Sequence, residues 1–453
     1  MQADARRRLV AGALTALLAA PVLYAASDPK VTFTEARLKN GLRVIVAEDH
    51  TAPVFSIAVN YDVGSRNERK GRTGFAHLFE HMMFKGSQNV GAGEHFWLVF
   101  NNGGNMNGTT NNDRTLYFET LPSNQLDLAL FLESDRMRSL DITGENLDNQ
   151  RNAVQEERRL GVDNQPYGKT YEAVGELAYD NFAYEHSVIG SMTDLSAATV
   201  DDVSAFFRTY YAPNNAVLAI VGDVDARQTI EKVRKYFEGI PSQTAPPDVD
   251  MTEPPQTAER RQTIEDPLAR LARLDIVFKI PPGDSPDIDA LRVASSVLGS
   301  GRSSRLYENV VRQKQFAVQT ASFVDDRRGP GLFQVLAMVA PGRSPAEAES
   351  AIHEQIASLA TGTLADWEME KARNAERRAL AGRVQSSLQR AILLTEYAIA
   401  HNDPGRINTE AARIAAVTAA DVQRVAKKYL VPENRTVVVT TPRPAAAPVK
   451  GGL

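Results

Sequence analysis

Residues 199–215 and 418–434 are versions of one another in fixed register. At a constant offset of 219, the pairs Thr199/Thr418, Asp202/Asp421, Val203/Val422, Tyr210/Tyr429, Pro213/Pro432 and Asn215/Asn434 are identical. In each copy a Thr stands where a helix needs its N-cap, a Pro ends the helical stretch, and a β-branched run comes next, at 217–221 and 436–440. Capping chemistry alone accounts for some of these matches but not for the unbroken register. The chain therefore reads as an internal duplication. Its fold class is α+β: two homologous domains of mixed sheet covered by helices on one face.

The spacing of apolar residues predicts strands at 42–46, 55–63 and 116–120 and helices at 74–85, 125–137 and 146–162 in the first copy. In the second it predicts strands at 274–280 and 333–339 and a helix at 285–298. Between Ile240 and Thr263 the chain is Pro-rich, polar and without periodicity, as a linker is. The expected organisation is a leader at 1–26, a first domain at 27–240, a linker at 241–262, a second domain at 263–441 and a flexible tail at 442–453. The leader is read from Arg6, Arg7 and Arg8, an apolar run over 9–23, and small residues at Ala25, Ala26 and Ser27. That run is short for a bilayer, so export to the periplasm or beyond, with no stable membrane span after leader removal, is expected. A net charge of −5 gives no reason to expect nucleic acid as a partner. The absence of Cys excludes disulfides, thiolate metal sites and cysteine nucleophiles.

The sharpest chemical signal is Gly74-Phe-Ala-His-Leu-Phe-Glu-His-Met-Met-Phe-Lys-Gly. On a helix, His77 and His81 project from one face about one turn apart, the geometry by which one helix gives two ligands to one zinc ion. Glu80 lies beside that face, placed to take a proton from a metal-activated water. Leu78, Phe79, Met82, Met83 and Phe84 would seat the helix in an apolar core. The bland alternative is a helix with two hydrogen-bonded, partly buried histidines. A third protein ligand is needed, and the acidic helix at 149–160 offers both Glu156 and Glu157.

The order His-x-x-Glu-His resembles the pitrilysin/insulinase family of zinc metallopeptidases, in its processing-peptidase-like branch. The resemblance extends to Leu42-Arg-Val-Ile-Val-Ala, to Gly103-Gly-Asn-Met-Asn-Gly-Thr-Thr, and to Tyr211-Ala-Pro-Asn-Asn before Gly222-Asp223. It implies half of a clamshell peptidase with one Zn²⁺ per chain. Matching Arg151-Asn-Ala-Val selects Glu157 as the third ligand and makes Gln150 the residue that orients a ligand, where relatives carry an acid. The resemblance also implies that Asn107, Gly108 and Thr109 bind extended peptide along an edge strand. His186 reads as structural or surface-exposed, and His50, His95, His353 and His401 show no partner pattern.

The second copy carries no His or Glu over 286–298, where the zinc helix would be. Relatives grip substrate with an Arg and a Tyr seven residues apart. Here those positions fall on Val311 and Val318, or with a one-residue slip on Arg312 and Gln319. The resemblance thus implies a heterodimer, with a homologous metal-free subunit supplying the Arg-Tyr pair. The expected function is a secreted zinc endopeptidase subunit that cleaves peptides or unfolded segments in an enclosed chamber. The rival is a non-enzymatic zinc-binding assembly subunit like the related respiratory-complex core proteins.

Overall fold

The computed structural model describes residues 30–443; the expected leader, and the tail beyond Arg443, lie outside them. The first half runs β1 (Thr34–Arg37), β2 (Arg43–Glu48), β3 (Val54–Tyr61), α1 (Phe75–Met82), α2 (Glu94–Asn101), β4 (Asn105–Thr110), β5 (Thr115–Pro122), α3 (Leu126–Ser139), α4 (Gly144–Arg158), α5 (Gly168–Ala178), α6 (Val200–Tyr210), β6 (Ala216–Gly222) and α7 (Ala226–Phe237). The second runs β7 (Arg260–Asp266), β8 (Arg273–Pro282), α8 (Ile288–Gly299), β9 (Ala317–Asp325), β10 (Pro330–Val339), α9 (Pro345–Thr361), α10 (Asp366–Gln385), α11 (Ser387–His401), α12 (Ala419–Tyr429) and β11 (Arg435–Pro442). Shorter helical turns join these elements. No helix among the described residues is long and apolar enough to cross a membrane.

The two sheets have one topology. Strand order is β1-β2-β6-β3-β5-β4 in the first and β7-β11-β8-β10-β9 in the second. Apart from β1, each strand has its counterpart in the same place. The parallel pair β2/β6 corresponds to the parallel pair β7/β11, with the other pairings antiparallel. The repeated positions do the same work twice. Thr199 and Thr418 each cap a helix by accepting the amide of Asp202 or Asp421, whose carboxylate returns the bond in a capping box. Asn215 donates to the carbonyls of Tyr210 and Asp62. Asn434 donates to those of Tyr429 and Lys279, so in both copies the same amide ties the helix end to the strand it faces.

The expectation that helices cover one face of each sheet needs correction. Strand β6 is buried at every position, which a half-covered sheet does not allow. One face of the first sheet packs on α1, α3, α6 and α7. The other receives Ala391, Leu393, Leu394 and Ala398 of α11, which meet Ile45, Ala58, Leu116, Val217, Ala219 and Val221. Reciprocally, Ala173, Val174 and Ala178 of α5 cover Val277, Leu332 and Val438 on the second sheet. Each copy lends a helix to the other, because strands apolar on both faces must be covered by something and the neighbouring helices are already used.

The Pro-rich stretch 241–259 is without helix or strand, but it is pinned along its course. Glu253 accepts the amides of Asp180 and Asn181 and binds Lys279, while Asn181 donates to the carbonyls of Asp250 and Thr252. Strand β7 already begins at Arg260, ahead of the expected end of the linker.

The helix exchange predicts that the halves unfold as one cooperative unit. Leu393→Ala, at a fully buried site, should cost about 2–5 kcal/mol while preserving a single urea transition followed by tryptophan fluorescence and far-UV dichroism. Separate transitions for the two probes would contradict that coupling.

Candidate functional site

Helix α1 enters from Gly74, whose φ of +87° suits glycine and whose Cβ, if present, would stand 2.7 Å from the carbonyl of Ile189. Phe75, Leu78, Phe79 and Met82 form its buried stripe at helical spacing. Phe79 stacks at 5.3 Å on Phe206 and 4.9 Å on Tyr211, and its carbonyl accepts the Tyr117 hydroxyl at 3.1 Å. This anchoring leaves His77 and His81 on the opposite side, with ring centroids 4.9 Å apart and planes at 81°.

Glu157, the penultimate residue of α4, reaches both imidazoles. Its Oε2 lies 3.5 Å from His77 Nε2 and 3.3 Å from His81 Nε2. A tetrahedral ion with bonds of about 2.0–2.1 Å holds its donors about 3.3–3.4 Å apart, close to the two separations from Glu157, and all three donors lie within 4.8 Å of one another. The side chains of His77, His81 and Glu157 are 11%, 25% and 50% exposed, which leaves the group open on the carboxylate side. Burial holds the His77 imidazole down at about 4, against the pull of Glu157. A hydrogen bond with His81 holds the Glu157 carboxyl below its usual range. Glu156, the neighbour that the sequence leaves in contention, turns away and pairs with Arg159 at 2.9 Å.

Glu80 sits beneath the edge strand β4. Its Oε2 accepts the hydroxyl of Thr110 at 2.7 Å. Burial pushes its carboxyl above the usual range, against the effect of that bond. Gly108 passes directly over it: a Cβ there would fall 2.9 Å from Glu80 Cγ and 3.3 Å from Phe84. Asn107 and Thr109 flank this point on β4, which is hydrogen-bonded on one side to β5 and ends the sheet on the other. The strand's far end is held by Arg114, which donates to the carbonyl and hydroxyl of Thr109 and reaches Glu396 of α11.

Gln150 is buried two turns before Glu157, and its amide donates to Asn149. His77 Nδ1, the nitrogen that an orienting group would hold, is buried without a hydrogen-bond partner among the described residues. In the second half, Arg312 pairs with Glu308 at 3.0 Å, Val318 is half exposed on the edge strand β9, and Gln319 comes after it. Neither register places a Tyr there. The sequence pattern does not single out Thr110 or Arg114; both belong to the polar run after Gly108, where nothing but the strand register shows which side chain meets Glu80.

His95 does have partners, although its sequence surroundings show none. With Glu119 of β5 and Glu133 of α3 it forms a second group of donors within 4.8 Å of one another. Its Nε2 stands 2.5 Å from Glu119, too close for two ligands of one tetrahedral ion and right for a shared proton. Burial drives Glu119 up to about 7 and His95 down to about 3. The cation is supplied by the chain itself. Arg136 is fully buried, donates to Glu133 Oε2 at 3.0 Å and lies 4.5 Å from the Tyr117 ring centre.

Residues 43–191 match the family described as Insulinase (Peptidase family M16), and residues 197–376 match the Peptidase M16 inactive domain. The chain is 31% identical over 408 residues to a Helicobacter pylori protein named zinc protease PqqE, covering 89% of this chain and 92% of the relative. It is 25% identical over 420 residues to a probable mitochondrial-processing peptidase subunit beta of Arabidopsis thaliana, covering 90% of this chain and 77% of that one. The crystal structure of a protease from Helicobacter pylori superposes with a TM-score of 0.87 at 30% identity, over 91% of this chain and all of that chain.

The buried ionic group behind the site yields a stability prediction. Glu119 and Glu133 are both raised to about 7 by burial, with Arg136 acting against the rise. Because the native state binds their protons more tightly, their contribution to stability is lost as pH rises from the ordinary carboxylate range through about 7. Arg136→Leu should therefore destabilise the chain by about 3–5 kcal/mol at pH 8, and by clearly less at pH 5, in urea titrations. A loss independent of pH would contradict this assignment of charge.

Proposed function

The chain belongs to the insulinase family of peptidases, M16, and from that premise we propose that it is the catalytic subunit of an exported zinc endopeptidase. The observation that carries the reading is the meeting of the Glu157 carboxylate with both His77 and His81 at zinc-donor separations, with Glu80 on the helix that bears the two histidines. A zinc ion held by those three residues supplies a Lewis acid for the scissile carbonyl and acidifies the attacking water.

The remaining steps belong to the chain's own groups. Glu80 accepts the water's proton at its carboxylate and delivers it to the departing amine. Its raised affinity for protons, caused by burial, suits both halves of that task. Thr110 fixes one carboxylate oxygen and so leaves the other to face the substrate. Strand β4 adds an extended peptide to its free edge, and Gly108 lets the Glu80 side chain pack close against that strand. Peptides and unfolded segments are the substrates that can offer such a strand. His77, His81 and Glu157 bind one ion per chain, and the buried His95 group, already neutralised by Arg136, binds none. The absence of an Arg-Tyr pair at 311/318 and at 312/319, together with similarity to a protein named as a subunit, supports a heterodimer with a homologous metal-free partner.

Glu80→Gln should retain zinc but lower hydrolysis of a quenched mixed-sequence peptide by about 10²- to 10⁴-fold. Glu157→Gln should instead weaken zinc itself, read by chelator competition. Zinc binding unaffected by Glu157→Gln would overturn the ligand set. Wild-type protein that binds zinc yet cleaves nothing, even with its companion, would favour the assembly-subunit reading.

Mixing with a homologous subunit that carries the Arg-Tyr pair should raise activity well above that of the chain alone. An isolated chain as active as the mixture at matched concentration would remove the need for the partner.

A further inference from the structure

Residues 182–198 lie between the two helices that carry the candidate ligands and are bonded to both. Toward α1, the buried carboxylate of Glu68 accepts the amides of Gly74 at 2.9 Å and Ala76 at 2.8 Å, so it caps the helix that bears His77 and His81. Glu68 is held in turn by His186, whose Nε2 lies 3.0 Å from the same carboxylate. The other ring nitrogen, Nδ1, lies 2.7 Å from the carbonyl of Phe182 and must donate to it, because a carbonyl can only accept. The imidazole is thus fixed at both ends, and it stacks on the Phe182 ring at 4.4 Å. A little further on, Gly190 sits backbone to backbone against Gly74: a Cβ on Gly190 would stand 2.4 Å from Gly74 Cα. Asp194 accepts both the amide and the hydroxyl of Thr73.

Toward α4, Arg158, the residue after Glu157, donates to the carbonyl of Gly190 at 2.7 Å and forks onto Glu172 at 2.6 and 3.0 Å. Arg151, two turns earlier, donates to the carbonyls of Leu195 at 3.0 Å and Ala198 at 2.6 Å. Gln155 donates to Ser196 at 2.9 Å. Gly190 is the hinge of the arrangement. Its Cα rests on the start of the zinc helix while its carbonyl holds the residue beside the third ligand.

We infer that residues 182–198 form a clasp that sets the spacing between α1 and α4, with His186 and Glu68 as positioning residues on one arm and Arg158 on the other. The inference rests on reading His77, His81 and Glu157 as a metal site. Those donors must stand within a few tenths of an ångström of their separations when the ion arrives, and a half-exposed Glu157 at a helix end has little packing of its own to ensure it. Buried bonds running through one backbone segment provide that constraint.

The test uses the full chain with His186→Gln and Arg158→Lys, and with Lys232→Ala as a control at an exposed ion pair. Lysine cannot reproduce the forked contact to Gly190 and Glu172. In the metal-free protein, amide exchange should quicken in both 74–80 and 156–160 for either variant, including the helix that the substituted residue does not touch. Zn²⁺ affinity by chelator competition should fall about 10- to 100-fold, and the visible band of the Co²⁺-loaded chain should shift. Global thermal midpoints should stay near that of wild type, and Lys232→Ala should change none of these. Exchange quickening only on the substituted arm, or unaltered Zn²⁺ affinity and Co²⁺ spectrum, would overturn the clasp. A His77→Ala chain that binds Zn²⁺ as wild type does would overturn the metal-site reading instead. The exchange measurement, made without metal, still decides the clasp in that case.

Discussion

Two helices far apart in sequence must meet closely enough for one carboxylate oxygen to touch two imidazoles. That approach of α4 to α1 is the constraint on which the rest of the first half is arranged. Helix α1 is short and carries three ionisable side chains on a surface that packing would otherwise use. Such a helix contributes little to its own stability, so its place must be imposed from outside. The aromatic stack around Phe79 imposes it from below, and Glu68 imposes it at the N-terminus. Glu157 is placed by the course of α4 and by the arginines that bind the segment between the helices.

The sheet to which α1 belongs is stiffened in a different way. Strands apolar on both faces leave the first sheet unable to stand alone, and the exchange of α5 and α11 joins the copies into a common core. This bears on the candidate site through Arg114, which links the edge strand at Thr109 to Glu396 on the borrowed helix. The strand over Glu80 is thereby held from the second half, even though none of His77, His81 and Glu157 comes from there. A half that carries no ligand still shapes the place where substrate would lie.

How much of this could be read in the sequence depends on how far each interaction reaches along the chain. The helix with His77 and His81 is legible because both its periodicity and its ligand spacing are local. The duplication is legible because Thr199 caps its own helix and Asn215 bonds the end of that helix, so their chemistry repeats as residues. Glu157 is separable from Glu156 only through a resemblance, since both lie on an acidic helix face; the geometry resolves it by pairing Glu156 with Arg159. The helix exchange leaves no local mark, for a helix apolar on one face does not record which sheet it covers. The group of His95, Glu119, Glu133 and Arg136 is silent for the same reason: its members come from α2, β5 and α3 and meet only when the sheet forms. Glu68 and His186 are similarly distant in sequence, and a buried acid that caps another element looks like any charged loop residue.

Comparison of the copies shows what the candidate site demands of the scaffold. Helix α8 comes after β8 as α1 comes after β3, yet it is longer, and apolar Ile288, Leu291, Val293, Ala294, Val297 and Leu298 are buried along it. Its N-terminal Asp287 is bound by Arg424, Lys428 and Tyr429, all from α12. In the first copy, the carboxylate that caps α1 is bound by a histidine from a loop shared with α4. The same topological place is thus held by its own domain's helix in one copy and by a bridge to a second ligand-bearing helix in the other. In the second copy the helix is fixed by apolar packing and by polar contacts to a helix of its own domain. Where three donors must converge from two helices, the fixing contacts have to run between those helices, and that is where the first copy departs from the second.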